Sequence, residues 1–548
     1  MQGTMWTRIT KLAATNQSKD LDQHVVANAV NFAQNLLSAN SLLRNIQNSV
    51  KSEFCRILSP LKRKREASDD HHPTLPKEEE AEEEEVFPQG EKRRKLAQPS
   101  CQLPQPITEL DRAPSAAQLR IVVFGSGENG ELGLGHLQQG KLSPSVARQP
   151  RLNSFLDPYK AGVVQVAVGG KHCAALTHDG RVLTWGANGL QALGRRTAGY
   201  EVAELDDDSA WLDPLESTPG AVDGLFGLDS DIEQVAATES ATFVLTKTGS
   251  VYGWGAFLGS DGLCGFLRDQ PRKKKRRQVG SRFEAKVQAT PIRIDGLKNI
   301  KEISAGRNHV LALTHSGRVY AWGSGHQAQL GRRLVQRHQH DSLIPRGLNL
   351  PRRGIEKVFA GFNHSFALDT QGRVWTWGLN NFGQTGIPIG RGDDYMHVGT
   401  PTIVESLSGY NIRQMSGGLH HSLACTQDGR VLAWGRCDEG QLGIDVSAMP
   451  EAHLLSDSRG KARILLQPTV VPGLTAKFVA AGMDSSVAIS PRGTVSTWGV
   501  SEDYRTGLGT QETIRTPIEL VQKGMRNGGF TWAGCGGPFT IIARPCAP

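Results

Sequence analysis

The segment AGRNHVLALTHSGRVYAWGSGHQAQLG, residues 305–331, recurs with small changes as GGLHHSLACTQDGRVLAWGRCDEGQLG at residues 417–443. In both copies a short apolar run leads into a turn that contains glycine, and the alternating residues after it end at Trp-Gly. Two such runs joined by a tight turn are typical of a β-hairpin. A second turn, ending in Gln-Leu-Gly, follows the hairpin. The segment therefore predicts two paired strands and a loop.

Six copies of this hairpin follow one another along the chain. In each copy the Trp lies 16 residues after a position that is Gly in every copy except one, where it is Thr238. The distance between successive Trp residues varies from 55 to 69 residues. Constant inner spacing with variable outer spacing indicates a fixed hairpin joined by adjustable loops. The six tryptophans are Trp185, Trp254, Trp322, Trp377, Trp434 and Trp498.

Further extended pieces, such as residues 290–294 and 301–303, bring each repeat to about four strands, which is one propeller blade. The two ends of the repeat region complement each other. Phe124-Gly125 has no hairpin strand before it, and residues 533–536, from Ala533 to Gly536, have no Trp-Gly after them. Gly534 is predicted to be the repeat glycine of this last copy. We therefore expect an all-β, seven-bladed β-propeller over residues 117–548, closed by complementary N- and C-terminal half-repeats. Closure of this kind leaves no open sheet edge.

Composition is consistent with a soluble chain that has a substantial core. The 548 residues are 38% hydrophobic and include 62 glycines, an excess that fits many repeated turns. The sequence contains no apolar run of about 18 residues and does not begin with a signal peptide. Its eight cysteines form no C-x-x-C pair. These features argue against a membrane or secreted protein and against a zinc cage.

The N-terminal 116 residues differ in kind from the repeats. Spaced aliphatic residues over 21–57 predict a possible helical segment within residues 1–60, and residues 61–116 are expected to be a charged, largely disordered linker. Acidic and basic residues balance before residue 117, so the net charge of +8 belongs to the propeller. Two basic tetrads flank an acidic run, and they indicate a nuclear import signal, a DNA-binding tail or a solvated linker; the presence of two clusters favours nuclear import. The tetrads are Lys62, Arg63, Lys64 and Arg65, and Lys92, Arg93, Arg94 and Lys95.

The repeated units at 305–331 and 417–443 resemble those of the regulator of chromosome condensation family. That resemblance implies a chromatin-bound guanine nucleotide exchange factor for the small GTPase Ran, with histones or nucleosomes, DNA and a nuclear import receptor as further partners. It also implies a location in the nucleus, on chromatin. Some members of the family do not exchange nucleotide, so a non-catalytic adaptor that binds chromatin or other proteins is the alternative.

One loop departs from the repeat in a way that matters for this choice. Most units place ten residues from Trp-Gly to the closing glycine, whereas residues 254–265 contain twelve. In the Ran exchange factor the matching blade has the same excess and forms a wedge against the phosphate-binding region of the GTPase. The resemblance therefore implies a wedge here, formed by Leu258, Gly259, Ser260, Asp261, Gly262 and Leu263.

Polar residues beside the repeated glycine add three more candidates for GTPase binding. Glu239 and Asn308 resemble positions where the exchange factor carries important acidic residues, and His420 resembles its functional histidine. Asn308 lacks the charge of the family residue. The repeat histidines, such as His172 and His309, are separated by whole blades and are expected to hold strands together rather than to bind a metal.

The resemblance also implies a loop that contacts histones after the Gln-Leu-Gly turn of the third unit. Arginine suits acidic surfaces because its guanidinium can bind a carboxylate through two hydrogen bonds. A separate basic run at 271–277 is consistent with a second import signal, a DNA contact or a solvated loop. The arginines of the proposed histone loop are Arg332, Arg333, Arg337 and Arg346.

No constellation for covalent chemistry is evident in the sequence. A nucleophile paired with a base, a phosphate-binding Gly-x-x-x-x-Gly-Lys loop and a metal-ligand set are all missing. Together with the resemblance, which implies a regulator of a GTPase, this leads us to expect a protein that is not an enzyme and has no cofactor, no metal and no membrane partner.

Overall fold

Seven antiparallel sheets form a ring in the computed structural model of the chain; six are built around one copy each of the repeated hairpin and the seventh around the two half-repeats. The structure describes residues 117–197, 212–225, 228–259, 262–266, 286–334, 336–388, 397–522, 525 and 528–546. The predicted helical segment, the linker with its basic tetrads and the basic run at 271–277 lie outside the described residues. No helix in the described part of the chain is long and apolar enough to cross a membrane.

Blades 1 to 3 follow the first half-repeat along the chain. Their strands run in order from the central channel outward. Blade 1 contains β3 (Val163–Val168), β4 (His172–Thr177), β5 (Val182–Gly186) and β6 (Gly220–Ala221), and the helical turn α1 (Pro214–Ser217) precedes β6. Blade 2 contains β7 (Ile232–Ala237), β8 (Ala241–Thr246), β9 (Val251–Gly255) and β12 (Gln288–Arg293). Blade 3 contains β13 (Ile300–Ala305), β14 (His309–Thr314), β15 (Val319–Gly323) and β16 (Arg346–Gly347).

Blades 4 to 6 repeat the same order. Blade 4 contains β17 (Ile355–Ala360), β18 (His364–Asp369), β19 (Val374–Leu379) and β20 (His397–Ile403). Blade 5 has five strands: β21 (Ile412–Gly417), β22 (His421–Thr426), β23 (Arg430–Arg436), β25 (Ala462–Thr475) and β24 (Leu454–Ser456). Blade 6 contains β26 (Phe478–Ala481), β27 (Ser485–Ile489), β28 (Val495–Gly499) and β29 (Ile514–Glu519).

Blade 7 is made from both ends of the repeat region, as the complementary half-repeats predict. Its inner strands are β30 (Trp532–Cys535) and β31 (Phe539–Pro545), and its outer strands are β1 (Leu119–Ser126) and β2 (Val146–Leu152). Strand β1 pairs antiparallel with β31, from Leu119 opposite Pro545 to Gly125 opposite Phe539. This pairing closes the ring and confirms the seven-bladed propeller.

Two details of the expected repeat are wrong. The N–H of Gly536 donates to the carbonyl of Phe539 at 2.9 Å, as the N–H of Gly169 does to that of His172, so Gly536 and not Gly534 occupies the repeat position. The last copy was misaligned because both positions carry Gly and no Trp follows to set the spacing. Residues 301–303 also belong to β13, the inner strand of the next blade, rather than completing blade 2.

Seven hydrophobic clusters fill the seven spaces between neighbouring blades, so each blade is stabilised mainly by the next one. All six repeat tryptophans are fully buried in these spaces. Five of them donate the indole N–H to a backbone carbonyl in the loop of the preceding blade, as Trp377 does to Gln329 at 2.9 Å. A buried indole needs such an acceptor. The Trp of each repeat therefore ties its own blade to the preceding one.

The repeat histidines link the blades in the opposite direction. His364 Nε2 lies 2.8 Å from Ser422 Oγ in the next blade, and Ser422 donates to the carbonyl of Gln384 at 2.7 Å. Because the hydroxyl donates to that carbonyl, the imidazole Nε2 carries the proton and donates to the hydroxyl. Burial lowers the pKa of His364 to about 3, so the ring is neutral. His172, His309 and His421 make the same kind of contact, which confirms their structural role.

Side chains on the inner strands make a third set of links, and one of them is a carboxylate. Gln234 accepts from the N–H of Ile303 in the next blade at 2.9 Å, and Gln414 accepts from Val479 at the same distance. Glu302 occupies the equivalent register in blade 3 and accepts from the N–H of Val358. Burial raises the pKa of Glu302 to about 7.

We expect Glu302→Gln to stabilise the protein at pH 8. The folded state binds the Glu302 proton more tightly than the unfolded state, so the wild-type protein loses stability as the pH rises from the ordinary glutamate pKa to about 7. Glutamine keeps the acceptor for Val358 and removes the charge. Thermal unfolding should show a gain on the order of 1 kcal/mol at pH 8 that shrinks at pH 5. Glu356→Gln, at an exposed neighbour, is the control, and an equal gain for it would contradict this account.

Candidate functional site

The predicted GTPase-binding residues lie at one end of the ring, called here the turn face. It consists of the turns between the first and second strands of each blade and the loops that follow each Trp-Gly. These elements share one end because neighbouring strands are antiparallel, with His172 opposite Gly186 and His309 opposite Gly323. These turns and loops contain the predicted wedge, Glu239, Asn308 and His420. They also contain the start of the proposed histone loop, residues 332–346, called here the arginine loop.

The second residues of successive turns surround the mouth of the central channel. The N–H of Glu239 donates to the carbonyl of Arg307 in the next blade at 2.7 Å, and the N–H of Arg307 donates to Phe362 at 3.0 Å. The channel has a volume of about 610 Å³, and Glu239, Arg307, Phe362 and Met483 help to line it. Backbone hydrogen bonds between neighbouring turns therefore fix the backbone positions of these residues around the channel mouth.

Glu239 joins two residues of the next blade. Its carboxylate accepts hydrogen bonds from Nε and Nη2 of Arg307, and Asn308 Nδ2 donates to it at 3.2 Å. The Glu239 side chain is 14% exposed and that of Arg307 is 37% exposed. Hydrogen bonding to Glu239 raises the pKa of Arg307. The charge that faces the channel mouth is therefore a fixed ion pair rather than a free carboxylate.

The predicted wedge is a short β-hairpin joined to this pair. Strand β10 (Phe257–Gly259) pairs with β11 (Gly262–Gly265), and the predicted wedge residues Ser260 and Asp261 lie outside the described residues. The N–H of Leu258 donates to Asn308 Oδ1 at 3.0 Å. Asn308 thus uses both ends of its amide, one on the wedge and one on Glu239. The structure brings three of the sequence predictions into one continuous group.

A cluster of aromatic rings anchors the base of the wedge. Phe257 and Phe266, at the two ends of the hairpin, stack on each other and on Phe243 of β8 with centroids 5.8 to 6.0 Å apart. Phe243 also meets the edge of Trp322 in blade 3 at 5.8 Å. Leu343, from the arginine loop, packs in the same cluster. The base of the wedge is therefore packed into the hydrophobic core between blades 2 and 3.

His420 lies in blade 5, in a separate group of side chains. Its ring is 4.6 Å from that of Phe382, and Arg436 lies over the same phenyl ring at 5.7 Å. Burial and the nearby Arg436 charge lower the pKa of His420 to about 4, so it is neutral. Arg436 pairs with Asp438 at 2.7 Å and Asp484 at 3.4 Å. A neutral imidazole in this position can form hydrogen bonds with a partner protein but does not attract that partner through a net charge.

The arginine loop contains one residue whose position argues against its predicted role. The Arg332 guanidinium donates to the backbone carbonyls of Asp341, Ser342 and Ile344 at 3.2 to 3.5 Å, and burial lowers its pKa to about 10. It therefore holds the loop together instead of facing a partner. Arg333 and Arg346 are exposed. The backbone of Arg337 lies in a 3-10 helix (Gln336–Leu343), but its side chain is outside the described part of the structure.

Sequence reasoning missed Arg307 and the aromatic anchor. Arg307 carries an opposite charge at the turn position next to that of Glu239, but their adjacency depends on the ring geometry. The anchor had a signal, since Phe257 occupies the place where two ordinary loops, at Asn188 and Asn380, have asparagine. Within the described ranges, no group of three or more His, Cys, Asp or Glu side chains is placed to hold a metal ion.

The geometry defines a repeat propeller with an inserted hairpin at one channel mouth, and comparison with known proteins identifies its family. The model of the RCC1-like domain matches residues 120–542, so the chain belongs to the RCC1-like family. It is 38% identical to Protein pim1 of Schizosaccharomyces pombe over 85% of this chain and 83% of that protein. It is 34% identical to the guanine nucleotide exchange factor SRM1 of Saccharomyces cerevisiae over 78% and 87% of the respective chains.

Two solved structures share both the fold and the sequence pattern. Prp20p from Saccharomyces cerevisiae, described together with its binding to Gsp1p and histones, is 33% identical with a TM-score of 0.69, over 79% of this chain and 93% of that chain. Yeast RCC1 (Prp20) bound to Kap60 is 31% identical with a TM-score of 0.71, over 83% and 97%.

Proposed function

We propose that this protein is a guanine nucleotide exchange factor for a Ran-type small GTPase and acts while bound to chromatin. The observation that carries the proposal is the wedge hairpin, which Asn308 connects to Glu239 at the channel mouth. An ordinary propeller loop needs no such insertion or link. The relative SRM1 is a guanine nucleotide exchange factor, which supports the same activity here.

Exchange requires binding energy rather than covalent chemistry. The wedge would press against the phosphate-binding region of the GTPase, while the Glu239–Arg307 pair and His420 contact its surface. Affinity for the nucleotide-free GTPase opposes nucleotide binding, and this opposition is reciprocal. Because the protein lowers the barrier in both directions, the concentrations of GTP and GDP decide which nucleotide is loaded.

A complex-formation experiment distinguishes this role from that of a non-catalytic adaptor. The protein should form a stable complex with a nucleotide-free Ran-type GTPase on size-exclusion chromatography, and millimolar GDP or GTP should dissolve it. An adaptor that binds the GTPase elsewhere would give a complex indifferent to nucleotide. That outcome, or no complex at all, would contradict the proposal.

Chromatin contact is proposed for the exposed part of the arginine loop and for the positively charged propeller. Arg333 and Arg346 are exposed, and guanidinium groups suit acidic histone surfaces. The relative Prp20p binds histones, which supports this assignment. Phosphate groups of DNA are a further target for a surface with net charge +8.

We further propose that the basic tetrads at 62–65 and 92–95 bind a nuclear import receptor, as the Kap60 complex of yeast RCC1 suggests. Deleting residues 62–96 should reduce the nuclear fraction of a fluorescent fusion at least several-fold, because the clusters that an acidic receptor groove would recognise are removed. Exchange on a free GTPase in solution should not change. An unaltered nuclear fraction would transfer the role to another segment, such as 271–277.

A further inference from the structure

The loop that carries the wedge closes in a different way from the ordinary loops. In blades 1 and 4 the third residue after the repeat Trp is Asn188 or Asn380, and its amide closes the loop. Asn188 accepts from the N–H of Leu193 at 3.0 Å and donates to the carbonyl of Arg195 at 3.1 Å. Asn380 bonds Thr385 and Ile387 in the same way. Blade 2 has Phe257 at this position and cannot make these hydrogen bonds.

A second consequence is visible in the next blade. Five repeat tryptophans donate the indole N–H to the carbonyl that an ordinary loop presents, but the indole N–H of Trp322 has no acceptor among the described residues. An unsatisfied buried donor costs free energy. The wedge loop therefore lacks both the asparagine closure of blades 1 and 4 and the hydrogen bond to the next repeat Trp, and apolar packing holds it instead.

That packing comes from the two phenylalanines at the ends of the hairpin. Phe257 and Phe266 are 0% and 2% exposed, and their planes are within 8° of parallel. Both stack on Phe243, which lies against Trp322. The residue after Phe257 is Leu258, whose N–H reaches Asn308. The orientation of the wedge relative to Asn308 and Glu239 is thus determined by the seating of these two rings.

We propose that Phe257 and Phe266 form a clasp that positions the wedge for exchange. They are positioning residues, because burial prevents either ring from touching a partner. This proposal rests on the proposed exchange function, since the wedge needs a fixed orientation only if it acts on a GTPase. The clasp accounts for the lost indole hydrogen bond, since a loop held by aromatic stacking no longer presents the carbonyl that Trp322 would need.

The test compares Phe257→Leu and Phe266→Leu with the control Phe366→Leu. Phe366 is also 0% exposed and meets the edge of a repeat tryptophan, Trp434, at 6.1 Å, but it lies in blade 4. The three variants should unfold at similarly reduced temperatures. The clasp variants should lower kcat of GDP release from a Ran-type GTPase about tenfold with less than threefold change in KM, because a misplaced group costs rate more than affinity. Phe366→Leu should keep both.

Amide hydrogen exchange separates failure of the clasp from failure of the proposed function. The Leu258 N–H should exchange faster in the clasp variants than in Phe366→Leu, whether or not any GTPase is present. If the wild-type protein does not accelerate GDP release but Leu258 loses protection, the exchange function is wrong and the clasp stands. Equal kcat and equal Leu258 protection in all three variants would overturn the clasp.

Discussion

Replacing the wedge by an ordinary loop should abolish most of the exchange activity and leave the propeller folded. In the proposed chimera, residues 257–264 are exchanged for the six residues of the blade 4 loop, 380–385. The loop then closes through an asparagine and again presents a carbonyl to Trp322. We expect GDP release from a Ran-type GTPase to slow about 100-fold, which is the scale of a coupling free energy of about 3 kcal/mol.

The chimera carries its own control for folding. Because it restores the polar closure and the indole acceptor, its unfolding temperature should equal or exceed that of the wild-type protein. The reverse graft, in which residues 188–193 of blade 1 are replaced by 257–264, changes a loop that contains none of the proposed GTPase-binding residues and should leave exchange within twofold of wild type. A chimera that is stable and fully active would show that the hairpin is only a variable loop.

Charge reversal at Glu239 should have an effect of about the same size. The carboxylate holds Arg307 through two hydrogen bonds and Asn308 through a third, so Glu239→Lys places an ammonium against a guanidinium and releases the amide that orients the wedge. Removing one partner of a partly buried charge pair costs about 2–5 kcal/mol. We expect kcat/KM for nucleotide release to fall about 100-fold.

Glu233→Lys provides a matched control for this prediction. Glu233 lies in β7, the strand that precedes the turn containing Glu239; it is near the end of β7 away from the turn face and is exposed. The charge change is identical, but exchange should remain near the wild-type rate. His172→Ala, which breaks the contact with Thr242, should reduce stability more than exchange. Equal loss of activity in Glu239→Lys, Glu233→Lys and His172→Ala, in proteins that remain folded, would refute the assignment of Glu239 to the site.

Much of the fold could be predicted because the repeat encodes it six times. The 16-residue step from the turn to the Trp corresponds to two paired strands of constant length, so the count of blades follows from the sequence. The same 16-residue spacing could not identify the repeat glycine of the last copy, because Gly534 and Gly536 are both candidates and no Trp follows. The position of Glu239, Asn308 and the wedge at one face also follows from the repeat, since equivalent turns in a propeller share one end.

Side-chain partners across blades could not be predicted from the sequence. The contact between Glu239 and Arg307 joins residues that are 68 positions apart, and it depends on which turns are neighbours in the ring. Arg332 resembled its exposed neighbour Arg333, but a loop can direct one arginine to its own carbonyls and the next to solvent. The sequence shows Phe257 in place of the asparagine of two other loops, but its stacking on Phe243 and Phe266 and the missing acceptor of Trp322 are visible only in the structure.

The most direct test of the central claim is the rate at which a Ran-type GTPase, loaded with fluorescent GDP, releases the nucleotide with and without this protein. Catalytic amounts of the protein should accelerate release at least 100-fold in excess GTP or excess GDP, because the exchange factor lowers one barrier for both directions. A release rate that is the same with and without the folded protein would contradict the account.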